Sequence, residues 1–223
     1  MNYYGQKKQD QWVIEEVFGF RRDGYFVDVA ASDGITNSNT LTLERDLGWN
    51  GIAVEANQSY FEKLTQNRTC KCVQACVDEC ERLVDFLPNG ELGGIVAPDT
   101  DNNAVFRQDL IRQWEEKQHV VRLRTRTLAS ILDECGAPEV IDYLSLDIEG
   151  AETRIMRSFP FARYRFLALT IERPVPELNN ILFGNGYVFV RNVEFDSFYV
   201  HETCPGLDSL AREPFVQVPA KDW

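Results

Sequence analysis

Three acidic residues end apolar runs of the sequence and could do chemistry there. Glu55 closes "GIAVE", Asp147 closes "VIDYLSLD" and Glu172 closes "RFLALTIE". A carboxylate is costly to bury without a partner, so acids at the ends of apolar strands commonly face a cleft. Two converging carboxylates, here Asp147 and Glu172, can bind Mg²⁺ or Mn²⁺ or take a proton from a substrate hydroxyl. Glu149 lies close by in sequence, and helix capping or pairing with Arg is the structural alternative for these acids.

A loop of small and polar residues follows the run "YFVDVA" and could approach a ligand closely. The loop continues through Ala31, Ser32, Asp33 and Gly34. Small side chains admit a ligand to the backbone, and the start of a following helix supplies amide donors. Glu55 lies 21 positions after Gly34, near the roughly 20-residue offset at which an acid receives ribose hydroxyls. The two features together predict a nucleoside site, whereas the loop alone could be an ordinary turn.

The hydrophobic pattern predicts the elements that would position these residues. Apolar, β-branched runs alternate with helical segments, which indicates an α/β, doubly wound, mainly parallel sheet covered on both faces. Strands are predicted over 25–30, 51–56, 71–77, 119–125, 140–147, 165–172, 187–190 and 197–201, with a hairpin over 82–97. Helices are predicted over 10–20, 39–47, 59–67, 128–135 and 175–183, with another from 151. Ligands of such sheets bind beyond the carboxyl ends of the strands.

The composition is that of one acidic domain spanning 1–223. With 44% hydrophobic residues the chain can form a sizeable core, and its formal charge of −12 disfavours a nucleic-acid partner. Arg122, Arg124 and Arg126 form the best basic patch, either a solvated sheet edge or an anion contact. No run approaches the roughly 18 apolar residues of a membrane span, and the first residues lack a signal peptide's apolar core. We therefore expect a cytoplasmic protein.

The cysteines and histidines do not indicate a zinc site. Four cysteines follow a C-x-C-x3-C-x3-C pattern at Cys70, Cys72, Cys76 and Cys80. This is not the paired spacing of a structural zinc site, so we expect reduced thiols. His119 and His201 are the two histidines, too few and too far apart for a histidine-based metal centre.

Several stretches of the sequence occur in an order that is typical of one family. They are "FVDVAASDGITNSNTLTLE", "GWNGIAVEAN", "IDYLSLDIEGAE", "LTIERP" and "DSFYVH". These stretches resemble the FkbM family of S-adenosylmethionine (SAM)-dependent methyltransferases, and the resemblance covers nearly all of residues 4–202. It implies a Rossmann-like class I methyltransferase fold, with a seven-stranded, mainly parallel sheet and an antiparallel last strand. It also implies methyl transfer, usually to an oxygen.

The resemblance further implies roles for residues at the strand ends. The residues expected to bind the methionine side of SAM are Asp28, Ala30, Ser32, Asp33, Gly34, Ser38 and Asn39. Glu55 would take the ribose hydroxyls, Ala56 would lie beside the adenine and Asp78 would contact the adenine amine. Asp147 would sit where cofactor and acceptor meet. The family generally has glycine where this chain has Ala30, which predicts tighter cofactor geometry or weaker cofactor binding.

Methyl transfer from a sulfonium is an in-line displacement that also requires loss of the acceptor's proton. We expect Asp147 and Glu172, with Glu149 nearby, to organise the acceptor directly or through Mg²⁺ or Mn²⁺. His201, at the end of the last strand, is an alternative base because imidazole titrates near neutrality; a structural histidine is the other interpretation.

The acceptor that the resemblance indicates is a hydroxyl of a sugar or glycan. The alternatives are a non-sugar small molecule, a nicotinamide-dependent oxidoreductase and an inactive binding module. The N-terminal helical segment 1–24 and residues 98–118 interrupt the sheet pattern, so both are predicted to form lid or acceptor-binding parts. Tyr3, Tyr4, Trp12 and Trp114 could supply stacking faces, unless they pack in the core.

Overall fold

Strands and helices alternate along the chain in the computed structural model, which describes residues 1–103 and 120–219. The strands are β1 (Tyr25–Val29), β2 (Asn50–Glu55), β3 (Lys71–Gln74), β4 (Cys76–Val77), β5 (Leu83–Leu87), β6 (Gly94–Ile95), β7 (Val121–Arg126), β8 (Val140–Leu146), β9 (Arg165–Glu172), β10 (Tyr187–Val193) and β11 (Asp196–His201). The helices are α1 (Gln9–Trp12), α2 (Leu41–Leu47), α3 (Gln58–Asn67), α4 (Leu128–Cys135), α5 (Glu152–Ser158) and α6 (Pro176–Gly184). A π-helical turn, Val13–Val17, continues α1.

The large sheet has seven strands in the order β10-β11-β9-β8-β1-β2-β3. The pairs from β9 through β8, β1 and β2 to β3 are parallel, whereas β11 runs antiparallel to both β9 and β10. The predicted mainly parallel sheet with an antiparallel last strand is confirmed. Because β1, β2, β8 and β9 run the same way, their carboxyl ends meet at one edge of the sheet.

A second, four-stranded sheet has the order β4-β7-β5-β6. The single strand predicted over 71–77 is wrong, because the chain leaves the large sheet after Gln74 and pairs Cys76 with Thr125 of β7. The predicted hairpin is confirmed by the antiparallel pair of β5 and β6. Since β7 lies between β4 and β5, its arginines do not form a sheet edge, and Arg122 lies 3.5 Å from Asp85.

The large sheet is buried on both faces by two apolar clusters. One contains Leu144 of β8 with Ile131 of α4 and Leu178 of α6. The other contains Tyr143 of β8 with Trp12 of α1 and residues of α2. Successive residues of β8 point to opposite faces, so one strand serves both clusters. The helices therefore cover both faces, as predicted.

Helix ends follow the expected chemistry. The Thr127 side chain accepts a hydrogen bond from the Ser130 amide at the start of α4, as an N-cap does. Gly48 ends α2 with a φ of 70°, a left-handed conformation that glycine adopts readily. The helix predicted over 10–20 is shorter, since regular helix and its π-helical continuation end at Val17.

All six cysteines are free. Within the described residues, no helix has the length and apolar character that crossing a membrane requires.

Candidate active site

A cleft of about 230 Å³ opens at the carboxyl ends of β1, β2, β8 and β9. The residues of the sequence prediction that line it are Asp28, Ala30, Ser32, Ser38, Asn39, Glu55, Asp147, Glu149 and Glu172. Their positions at parallel strand ends bring together side chains that are far apart in sequence. The cleft therefore gathers most of the predicted residues.

The loop after β1 holds two residues in a conformation that side chains disfavour. Ala30 has a φ of 66° and Ser32 a φ of 51°, both in the left-handed region that glycine adopts more easily. This conformation turns the chain so that the Ala30 and Ala31 amides both donate to the Val54 carbonyl at 3.0 Å. The Ala30 methyl group therefore strains the backbone, which explains why glycine suits this position.

Replacing Ala30 by Gly is expected to stabilise the protein. A left-handed alanine costs about 1–2 kcal/mol, which exceeds the roughly 0.5–1 kcal/mol of extra chain entropy that glycine loses on folding. We expect a net gain of about 0.5–1 kcal/mol in the free energy of unfolding, measured by urea denaturation. Ala31→Gly in the same loop is the control, expected to destabilise. A loss of stability in Ala30→Gly would contradict the strain.

Asp33 and Gly34 shape the loop and do not line the cleft. The Asp33 carboxylate accepts hydrogen bonds from the amides of Ile35 and Thr36 at 2.9 and 2.8 Å. Burial opposes ionisation, but these bonds outweigh it and lower the pKa of Asp33. Gly34 has a φ of 80°, and a Cβ there would lie 2.7 Å from Arg68 Cγ. Both residues therefore stabilise the turn, and neighbouring residues of the same loop line the cleft.

The next part of the loop connects β1 to the start of α2. Ser38 Oγ accepts a hydrogen bond from the Leu41 amide at 3.2 Å, and Asn39 Nδ2 donates to Ser145 Oγ at 2.9 Å. Asp28 Oδ2 accepts from Thr40 Oγ1 at 2.6 Å. Burial raises the pKa of Asp28, although the charge of nearby Arg68 opposes this. Asp28 thus anchors the loop as well as lining the cleft.

Glu55 stands at the end of β2 with its carboxylate fixed on both sides. Its Oε2 accepts a hydrogen bond from the Ser32 amide at 2.9 Å, and its Oε1 accepts from the Asn57 amide at 2.7 Å. Burial raises its pKa, and these amide bonds work against that rise. Each carboxylate oxygen has a further lone pair, so Glu55 can still accept a hydroxyl from a ligand.

A smaller apolar cavity of about 40 Å³ adjoins the cleft at Glu55. Its lining includes the predicted Ala56 together with Cys76, Phe86 and Ile148. The cleft and the small cavity share Phe86 and Glu55 among their lining residues. An apolar pocket beside a carboxylate suits a nucleoside, with its base in the pocket and its ribose on the acid.

Asp78 does not line either of these cavities. Its carboxylate is buried and accepts hydrogen bonds from Arg82 Nη2 at 2.6 Å and from the Glu79 amide at 2.8 Å. Arg154 Nη1 also lies 3.8 Å from Asp78 Oδ1. These partners already bind the carboxylate, and the contact of Asp78 with an adenine amine stays a prediction.

The opposite end of the cleft is acidic. Leu146 and Ile171 are paired in the parallel register of β8 and β9, so Asp147 and Glu172 follow side by side. The surrounding protein and the charge of Glu172 raise the pKa of Asp147 well above its ordinary value. Because Asp147 is exposed to solvent in the cleft, we attribute the rise in its pKa mainly to repulsion from the Glu172 carboxylate.

Each predicted metal ligand has further acids within reach. Asp147, Glu152 and Glu172 form one group, and Asp101, Glu149 and Glu172 form another. In each group one carboxylate oxygen per residue lies within 4.8 Å of the others. Carboxylate oxygens are the ligands that Mg²⁺ and Mn²⁺ prefer.

His201 lies at the other end of the sheet from the cleft. Asp196, the first residue of β11, pairs with Glu172, and Val200 near its end pairs with Ala168 inside β9. His201 does not line the cleft, and its Nδ1 is 2.9 Å from Thr203 Oγ1. Burial lowers its pKa. The suggestion that His201 serves as a base is therefore corrected: an antiparallel strand begins at the cleft and ends away from it.

Gln6, Gln9, Phe195 and Asp196 belong to this region and were not predicted from the sequence. The first three line the cleft, and Gln9 Nε2 donates a buried hydrogen bond to Asp196 Oδ2 at 2.6 Å. Burial and the charge of Glu172 raise the pKa of Asp196 to about 7. The direction of β11 was the signal that could have indicated Asp196.

The predicted lid over 98–118 is described only as far as residue 103. In that part the Asp101 amide donates to the Glu149 carbonyl at 2.9 Å, which ties the segment to the loop after β8. The rest of the predicted lid, with Trp114, lies outside the described residues. Trp12 packs edge-on against Phe198, so core packing explains it.

The family profile of the FkbM methyltransferase domain matches residues 28–203. Solved structures to which this chain is similar include the METTL16 methyltransferase domain, at 13% identity and a TM-score of 0.47; the match covers 86% of this chain and 64% of that one. A precorrin-6y C5,15-methyltransferase from Geobacter metallireducens GS-15 has 11% identity and a TM-score of 0.44, with 86% and 85% covered. A methyltransferase from Pyrococcus furiosus has 13% identity and a TM-score of 0.43, with 88% and 82% covered.

This chain thus spans slightly less than two thirds of the METTL16 domain structure. A comparison with curated proteins finds no significant match. The family profile covers most of the chain and replaces the oxidoreductase interpretation. The chain belongs to the FkbM methyltransferase family, and its mainly parallel sheet is Rossmann-like.

Proposed function

We propose that the protein transfers the methyl group of SAM to a hydroxyl of a sugar or glycan. The observation that carries this proposal is that the two ends of the adjoining cavities differ in chemistry. An apolar pocket and Glu55 stand at one end, and Asp147 and Glu172 stand at the other. Cofactor and acceptor would then meet at the ends of β8 and β9.

The residues of the cleft fit SAM. Ser32 Oγ and Asn39 Oδ1 are buried in the lining and have no hydrogen-bond partner among the described residues. Buried polar atoms normally have partners, so these two suit the polar amino-acid part of a bound cofactor. Glu55 would hold the ribose hydroxyls, and the pocket around Ala56 would hold the adenine.

Bound SAM supplies a methyl group on a positively charged sulfur. In the transfer the carbon–sulfur bond breaks, a carbon–oxygen bond forms and the acceptor hydroxyl loses its proton. Asp147 or Glu172 would take that proton, and the amides and carboxylates of the cleft would orient the hydroxyl. Glu149, on the loop after β8, would support the same acceptor.

Two features support a neutral polyhydroxyl acceptor. The acceptor end presents amide and carboxylate groups, including Gln6, Gln9 and Glu149, and such groups hydrogen-bond hydroxyls well. None of the described residues lining the cleft is Lys or Arg, which disfavours a phosphate-rich acceptor such as nucleic acid. A non-sugar alcohol is the second candidate acceptor.

A divalent cation is a further part of the proposal. Asp147 and Glu172 would hold Mg²⁺ or Mn²⁺ with a third acid of their groups, which would bring a metal beside the acceptor oxygen. Activity that is unchanged after treatment with EDTA and unaffected by added Mg²⁺ or Mn²⁺ would remove the metal from the mechanism.

Replacing Glu55 by Gln is expected to weaken SAM binding about tenfold or more. The amide keeps one acceptor oxygen but loses the charge and the second acceptor that would bind two ribose hydroxyls. Calorimetric titration with SAM measures the change. Glu62→Gln on the exposed side of α3 is the control, expected to bind as the unchanged protein does. Equal affinities of both variants would contradict the ribose role.

The proposed function is tested with methyl-labelled SAM and a panel of mono- and oligosaccharides. We expect label in at least one sugar, on oxygen, and about a hundredfold less with Asp147→Asn. Label in a non-sugar alcohol alone would favour the second candidate. Label in amines or nucleic acid alone would overturn hydroxyl methylation, and a parallel titration should show affinity for SAM and none for NAD.

A further inference from the structure

The lining of the cleft is strongly biased in charge. Its ionisable members among the described residues are Asp28, Glu55, Glu91, Asp147, Glu149 and Glu172. No Lys or Arg of the described chain accompanies them in the lining. A concave site with one sign of charge concentrates its field in the cavity. The described part of the lining therefore gives the cleft a negative potential.

The negative charge of the lining has the fewest positive partners at the acceptor end, around Asp147 and Glu172. At the opposite end Asp28 bonds Thr40, which in turn accepts from buried Arg68 Nη2 at 2.9 Å. At the acceptor end Glu172 has Arg173 at 3.5 Å, whereas Asp147 makes no ion pair with any described residue.

We propose that this acidic end, when no divalent cation is bound there, makes the protein bind SAM in preference to its demethylated product, S-adenosylhomocysteine (SAH). The proposal rests on the cofactor placement of the proposed function. SAM carries a positive sulfonium, and opposite charges a few ångströms apart attract strongly in a partly buried site. Glu172 and Asp147 are the residues that would distinguish the two forms.

The charge balance of the reaction explains how the preference would act. When the carbon–sulfur bond breaks, its electron pair stays on sulfur, which becomes an uncharged thioether. The acceptor's proton goes to a carboxylate at the acceptor end and then to solvent. A negative site is then left facing a neutral sulfur, so the attraction that held the cofactor is lost. Product release would be faster, and product inhibition weaker, than in a neutral site.

The preference can be measured by binding alone, without knowledge of the acceptor. Calorimetric titrations with SAM and with SAH in the presence of EDTA, at low and at raised salt, give the ratio of their dissociation constants. We expect the unchanged protein to bind SAM at least about tenfold more tightly than SAH. Raised salt should weaken SAM more than SAH, because it screens the charged ligand.

Variants assign the preference to the acidic end. Glu172→Gln and Asp147→Asn should each reduce the ratio several-fold, mainly through weaker SAM binding. Glu139→Gln is the matched control, since Glu139 is exposed just before β8, at the opposite end of that strand. The ratio of the SAM and SAH dissociation constants of Glu139→Gln should equal that of the unchanged protein.

Three results would overturn the inference. One is SAH binding as tightly as SAM to the unchanged protein, and another is a ratio that both variants leave unchanged. In both cases SAM still binds, so the cofactor placement survives. Absence of binding by both ligands would overturn the placement itself, and this inference with it.

Discussion

Replacing Arg68 by Met is expected to lower the free energy of unfolding by about 3–5 kcal/mol. The Arg68 side chain is fully buried and lies 2.6 Å from Glu44. It also donates hydrogen bonds to Ser38 Oγ at 3.2 Å and to Thr40 Oγ1 at 2.9 Å. Without the guanidinium, buried Asp28 and the largely buried Glu44 carboxylate lose their nearest cation.

Urea denaturation and thermal unfolding measure this loss. A change of that size lowers Tm by roughly 10 °C in a chain of this length. Arg157→Met is the matched control, because Arg157 is half exposed and pairs with Glu177 at 2.8 Å across the surface. Such a pair contributes about 1 kcal/mol or less. Equal losses of stability in the two variants would show that Arg68 does not hold the loop after β1 in place.

Replacing Glu152 by Gln is expected to stabilise the protein in alkaline solution and to have little effect in acid. Burial raises the pKa of Glu152 from an ordinary 4.5 to about 8, although amides of Ile148 and Gly150 oppose the rise. The folded protein therefore binds a proton that the unfolded chain releases. Stability due to this group is present at low pH and is lost as pH rises from about 4.5 to about 8.

A glutamine at position 152 keeps the acceptor oxygen for the Ile148 amide, now at 2.8 Å, and has no charge to bury. We expect its free energy of unfolding to exceed that of the unchanged protein by about 5 kcal/mol above pH 8 and to match it closely near pH 4. Denaturation curves across this pH range, with Glu139→Gln as the exposed control, test the difference. A constant difference at all pH values would contradict a buried, titrating Glu152.

The large sheet and most of the cleft were predictable because parallel strands leave a strong local pattern. Apolar runs such as "VIDYLSLD" need burial on both faces, and the acids at their ends then share one edge. Glu55, Asp147 and Glu172 follow from that rule alone, whichever ligand the cleft binds.

The errors arose where pairing partners are distant in sequence. The run 71–77 has the composition of one continuous strand, and nothing local shows that the chain leaves one sheet after Gln74 and enters another at Cys76. Because β11 is antiparallel, as predicted, its first residue Asp196 lies at the cleft and His201 at its end lies away from it. Ala30 and Ser32 lie in the left-handed region because tertiary contacts impose it, against the local preference of their side chains.

The hydrogen bond between Gln9 and Asp196 joins positions 187 residues apart, and Lys7 Nζ meets Glu194 Oε2 at 2.6 Å beside it. Residues 5–9 precede the stretch that the family profile matches, yet Gln6 and Gln9 line the cleft. Part of the cleft wall therefore comes from outside the segment that defines the family. A protein trimmed to residues 28–203 would keep Glu55, Asp147 and Glu172 but lose Gln6 and Gln9, and its cleft would be open on that side.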